Sequence, residues 1–66
     1  MTPPQLAHII AEIGLCAQVL RRLAAQEYDA HHMVIHYRYE KAADHLERAR
    51  LDLSYILSHL PDPPGR

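Results

Sequence analysis

The sequence predicts an all-α fold, a two-helix antiparallel hairpin that dimerises into a four-helix bundle. Three observations lead there. Strong helix formers fill residues 5 to 60 with no proline among them. Apolar residues recur in two stretches at alternating spacings of three and four, the signature of an amphipathic helix with a heptad seam. The two stretches are out of phase, so one straight helix cannot keep both on one face.

The first helix is expected at about residues 3–26. Thr2 precedes Pro3, Pro4 and Gln5. A threonine can cap, prolines suit the first turn where amide donors are idle, and Gln5 completes a capping box. Leu6, Ile9, Ile13, Cys16, Leu20 and Leu23 then form the seam, widened by Ile10, Ala17 and Ala24. Ala7, Ala11, Gly14 and Ala25 lie opposite it, with Leu15 and Val19 beside them. A helix so apolar around its circumference is usually buried on several sides. It is therefore expected at the centre of the assembly.

The second helix is expected at about residues 31–60. Its seam is Ile35, Tyr39, Ala42, Leu46, Ala49, Leu53, Ile56 and Leu60, and Pro61 ends it. Extending the first rhythm would place seam positions at 27, 30, 34 and 37, whereas the second uses 28, 32, 35 and 39. The mismatch calls for a turn at about 27–30, with Asp29 as N-cap of the second helix. Residues 61–66 read as a disordered tail.

A chain of 66 residues is a single domain. At this size folding buries only roughly 60% of the unfolded surface, which is marginal. Small scaffolds compensate with disulfides, metals or oligomerisation. The single cysteine, Cys16, rules out an intrachain disulfide and is expected to be an inert, buried thiol. Self-association through both seams is the expected remedy, with Leu6, Ile9, Ile13, Cys16, Leu20, Leu23, Ile35, Tyr39, Leu46, Leu53 and Ile56 as the dimer core.

Chemistry is sparse. The only serines, Ser54 and Ser58, fall late on the second helix with no shaped loop to form an oxyanion hole. There is no phosphate loop and no zinc ribbon, so neither an enzyme nor a cofactor is expected. His32, His36 and Glu40 follow one another at i,i+4 spacing, a weak candidate metal set whose four ligands two chains of a dimer could provide. His8, His45 and His59 are scattered. If several histidines lined the dimer interface, association would weaken as they gained charge near pH 6 to 6.5.

A net charge of −1 favours neither nucleic acid nor an anionic membrane. Arg38, Lys41, Arg48 and Arg50 are interleaved with Glu40, Asp44, Glu47 and Asp52, and Asp44–Arg48 and Glu47–Arg50 are spaced as helical ion pairs. The start lacks the basic segment and cleavage site of a signal peptide, and no apolar run reaches the roughly 20 residues of a spanning helix. A reduced cytoplasmic protein is expected.

The informative residues are apolar ones that face outward from the second seam. Met33, Val34 and Tyr37 cluster near the hairpin tip, and Leu51 and Tyr55 form an i,i+4 pair beside Arg48. Tyrosine and arginine with aliphatic neighbours are typical interface anchors, and methionine adapts to varied partners. With Lys41, these seven residues form the expected docking surface for a larger protein. In size and hairpin architecture, residues 2 to 60 resemble the Rop-type copy-control proteins, dimeric four-helix bundles that bind RNA. The Asp29-Ala30 turn is similar, but the seam registers differ and the first helix has no basic face. The resemblance implies pairing of two hairpins and keeps a nucleic-acid-binding bundle as the alternative. The leading expectation is a small homodimeric regulator or inhibitor that docks onto a larger protein, of the kind phages and other mobile elements encode. A metal-binding hairpin through His32 and His36 is a further alternative.

Overall fold

Two helices, α1 (Pro3–Asp29) and α2 (Met33–Ser58), are joined by a three-residue turn and pack against each other as a hairpin. The computed structural model describes residues 2–60. The expected stop at Pro61 and the tail at 61–66 lie outside them. Contacts pair early residues of one helix with late residues of the other, so the helices run antiparallel. His36 meets Ala24 near the turn, and Arg50 meets Gly14 farther from it.

The start of α1 is as its sequence specifies. The Thr2 hydroxyl accepts from the Gln5 amide at 3.3 Å, and the Gln5 side chain accepts from the Thr2 amide at 2.8 Å. Pro3 and Pro4 occupy positions whose missing amides cost nothing.

The turn falls later than expected. α1 runs through to Asp29, the turn is Ala30–His32, and α2 begins at Met33. Asp29 is the last residue of α1 and does not cap α2. His32 holds the N-cap position, and its side chain makes no capping bond.

The reason is a C-terminal lock on α1 built without glycine. The His32 amide donates to the Glu27 carbonyl at 2.8 Å and the His31 amide to the Tyr28 carbonyl at 3.0 Å. These are the two bonds of a Schellman motif, which requires a left-handed residue just past the cap. His31 supplies it, with φ of 63°. A side chain there costs on the order of 1 kcal/mol, the reason glycine is usual at this place. The motif commonly adds a hydrophobic contact between the residues at its two ends. Here those residues are Glu27 and His32, and they make a polar one, with His32 Nδ1 2.7 Å from Glu27 Oε2.

The line along which the helices touch is displaced from the expected seams. The buried residues are Leu6, Ala17, Ala24 and Ala43, of which only Leu6 is large. Both helices are rotated by about one position, so the residues expected to widen the first seam lie at its centre. Cys16, expected to be buried, is exposed, and Ile35 and Ile56 are each 47% exposed. The physical cause is size. Alanines at the contact present little bulk, and the larger side chains beside them turn off the contact line.

The small residues on the far side of α1 face away from α2 within the hairpin. Ala7, Ala11 and Ala25 are exposed. Gly14 faces the aliphatic stem of Arg50, and a methyl group there would lie an ordinary 3.5 Å from the Arg50 Cδ.

Two substitutions test this account. His31→Gly relieves the left-handed strain and is expected to raise stability by up to about 1 kcal/mol, read as a higher thermal midpoint at fixed protein concentration. Gly14→Ala is expected to stabilise α1 by about 0.5–1 kcal/mol with self-association unchanged. A weaker assembly in Gly14→Ala would mean that another backbone packs on that glycine.

Candidate interaction surfaces

The two flanks of the hairpin differ in chemistry. On each helix, the residue just before a contact position turns to one side of the contact line. Because the helices are antiparallel, these residues from both helices reach the same flank. On α1 they are Ile9, Cys16 and Leu23, and on α2 they are Ile35, Ala42, Ala49 and Ile56. Each row repeats every seven residues, and neither holds a charge. Ile13 and Leu20 from α1, with Tyr39, Leu46 and Leu53 from α2, lie between these rows and the contact line and are only half-buried. This flank is continuous apolar surface.

The other flank is charged at its centre. Arg21 reaches across from α1 to α2, with one guanidinium nitrogen 2.8 Å from Glu40 Oε2 and the other 3.2 Å from Asp44 Oδ1. The bond to Asp44 raises the Arg21 pKa above its ordinary value. Desolvation opposes this, and the charges of Glu40, Asp44 and Glu47 add to it. Arg50 completes the group by pairing with Glu47 at 2.8 Å. Of the two ion pairs expected from spacing, Glu47–Arg50 forms, whereas Asp44 bonds Arg21 across the hairpin.

The proposed metal set is not brought together. His32 turns to Glu27, and the partly buried His36 Nδ1 donates to the Ala24 carbonyl at 2.7 Å. Glu40 is engaged by Arg21. Among the described residues, no group of three or more histidine, cysteine or acidic side chains could hold a metal ion. His8 pairs with Glu12 at 3.0 Å, and His59 Nδ1 donates to the Tyr55 carbonyl at 2.8 Å. The histidines with identified partners bond within the chain, and none occupies the apolar heptad rows.

The expected docking residues are all exposed. Val34 and Tyr55 are the most open at 73% and 66%, followed by Leu51, Tyr37 and Met33, and Lys41 and Arg48 are also exposed. They do not form one patch. Met33, Val34 and Tyr37 occupy the turn end of α2, where Lys41 Nζ lies 5.5 Å from the centre of the Tyr37 ring. Leu51 and Tyr55 lie toward the other end, where Tyr55 stacks on His59 at 4.0 Å.

Sequence reasoning missed Tyr28. By spacing it fits the second rhythm, but it belongs to α1, is 57% exposed, and packs edge-on against the His36 ring at 5.3 Å. It adds a second tyrosine to the apolar tip. The Schellman turn places it there, and the sequence signal for that turn is hidden because its left-handed residue is not glycine.

No helix among the described residues is long and apolar enough to cross a membrane. Compared with known proteins, the chain matches no family model, and no curated protein or solved structure is detectably similar to it.

Proposed function

We propose that this protein is a self-associating helical interaction module, a homodimer of hairpins closed along the apolar flank. It acts by docking its exposed tip onto a larger protein, as a small regulator or inhibitor. It is a binding protein in this reading and not an enzyme. A cytoplasmic location belongs to the same reading and rests on the single cysteine, which leaves the fold without a disulfide framework.

The observation that carries the proposal is the unequal pair of flanks. Charged groups on one flank pair with one another, and the other flank is apolar along both helices. Three alanines and one leucine form the buried core among the described residues, too little to hold a domain of this size. A flank two helices wide and about 40 Å long covers on the order of 800 Å². That matches the roughly 800 Å² per partner of a standard stable interface.

At the tip, Tyr28, Met33, Val34 and Tyr37 are exposed together. Tyrosine anchors with adaptable aliphatic neighbours suit a protein surface. Arg50, one of the four cations considered for nucleic acid, is held by Glu47, so the basic set is weaker than its sequence suggests.

The dimer is tested by light scattering over a dilution series. The parent chain is expected at twice its 7.6 kDa mass. Cys16→Glu, exposed within one hairpin but central to the apolar flank, is expected to weaken association at least 100-fold while the chain stays a hairpin. Gln18→Glu, exposed and off that flank, is expected to leave it unchanged. Equal behaviour of the two variants would sink the dimer. For the tip, Tyr37→Ala is expected to abolish capture of the partner protein with helicity and dimer mass intact. Loss of the dimer in that variant would place Tyr37 in the core instead.

A further inference from the structure

We propose that the outer face of α2 is a docking stripe for an acidic protein surface, with Lys41 and Arg48 as its principal charges. This rests on the protein-docking reading above and adds the chemistry of the partner.

The direction of the face is fixed by Ala43, which is buried against α1. At roughly 100° per residue, Val34, Tyr37, Arg38, Lys41, Arg48 and Tyr55 all point at least about a third of a turn away from it. All six are exposed. They extend about 30 Å along the helix, from the turn toward the far end. Tyr37, Lys41, Arg48 and Tyr55 lie on the charged-flank side of this face. A second copy seated on the apolar flank therefore leaves them open.

The stripe is made by where the carboxylates go. α2 carries four acids, Glu40, Asp44, Glu47 and Asp52, and four cations, Arg38, Lys41, Arg48 and Arg50. Arg21 takes Glu40 and Asp44, and Arg50 takes Glu47. Among the described residues, no ion pair forms at Arg38, Lys41 or Arg48. Arg48 has Asp44 one turn away, but that carboxylate bonds Arg21 across the hairpin. Charges equal in number along α2 thus become unequal in space. The outer face shows three cations against one carboxylate, Asp52.

The cations also stand among anchors. The Lys41 ammonium lies 5.5 Å from the centre of the Tyr37 ring, which holds the charge beside an aromatic side chain. Val34 and Tyr55, 73% and 66% exposed, flank the charged stretch. Such a mixture is complementary to carboxylates set among apolar residues, the make-up of an acidic protein surface. Nucleic acid fits less well. Its affinity comes from neutralising many phosphates, and Asp52 on the stripe, with Asp44 beside it, repels them.

The test is fluorescence anisotropy on the full chain with three probes. The first is a labelled helical peptide of about 20 residues, the length of the stripe, with leucines and glutamates on one face. The second has glutamine in place of each glutamate, and the third is a single-stranded RNA of equal charge. The glutamate peptide is expected to bind at least about 10-fold more tightly than either of the others, with affinity falling as salt rises. Lys41→Gln combined with Arg48→Gln is expected to remove this preference, with helicity unchanged. Asp52→Asn is expected to strengthen binding of the glutamate peptide about 2-fold. Equal binding of the two peptides overturns the acidic partner and leaves apolar docking standing. Tighter binding of the RNA, or no binding of any probe, overturns protein docking as well. A double variant that keeps the preference overturns the assignment of Lys41 and Arg48.

Discussion

The burial of Ala17, Ala24 and Ala43 between the two helices governs the rest of this structure. Alanine buries little area, so the contact itself stabilises only weakly. It fixes the rotation of each helix about its own axis. Once alanines take the contact line, the bulky residues one position earlier can only go to one side. Had leucines occupied the line, the hydrophobic stripes would face each other and the hairpin would have a core of its own. The molecule has instead a thin inner contact and a broad outer one, so most of its capacity for burial remains unused within a single chain.

The turn and the charged flank act in the same direction. Glu27, Tyr28 and Ala24 supply the carbonyls that receive bonds from His32, His31 and His36, which ties the end of α1 to the start of α2 by side chains as well as backbone. Arg21 spans the two helices from the opposite flank. An exposed ion pair contributes little to stability, but carboxylates from two turns of α2 on one guanidinium restrict sliding of one helix along the other. Register is thereby held by polar groups on one side, while the apolar side is left unconstrained.

Helical class, the capping box at Thr2 and Gln5, the break between two rhythms, and the outward residues Met33, Val34, Tyr37, Leu51 and Tyr55 were legible in the sequence. Each depends on local rules of periodicity or capping. Two features were not. The turn position rests on His31 adopting a left-handed backbone, and no composition rule flags a histidine there. The rotation of the seams rests on choosing Ala17 over Cys16 and Ala43 over Ala42. Adjacent residues of similar size and polarity look equivalent in a sequence, and only the packing of the other helix separates them. The histidine spacing that suggested a metal site is real, but Glu27, Ala24 and Arg21 engage its members first, and all three lie on α1, outside the pattern that raised the idea.

Pro3 and Ser58 begin and end the hairpin at the same end of the rod, and His31 lies at the other. The helices between them give a stand-off of about 40 Å. Anything joined covalently at Pro3 or Ser58 is thus held a full helix length from the turn. A probe or surface anchored there leaves the tyrosine-bearing tip unshadowed and projects it outward, in the manner of a contact pad on a short rigid stalk.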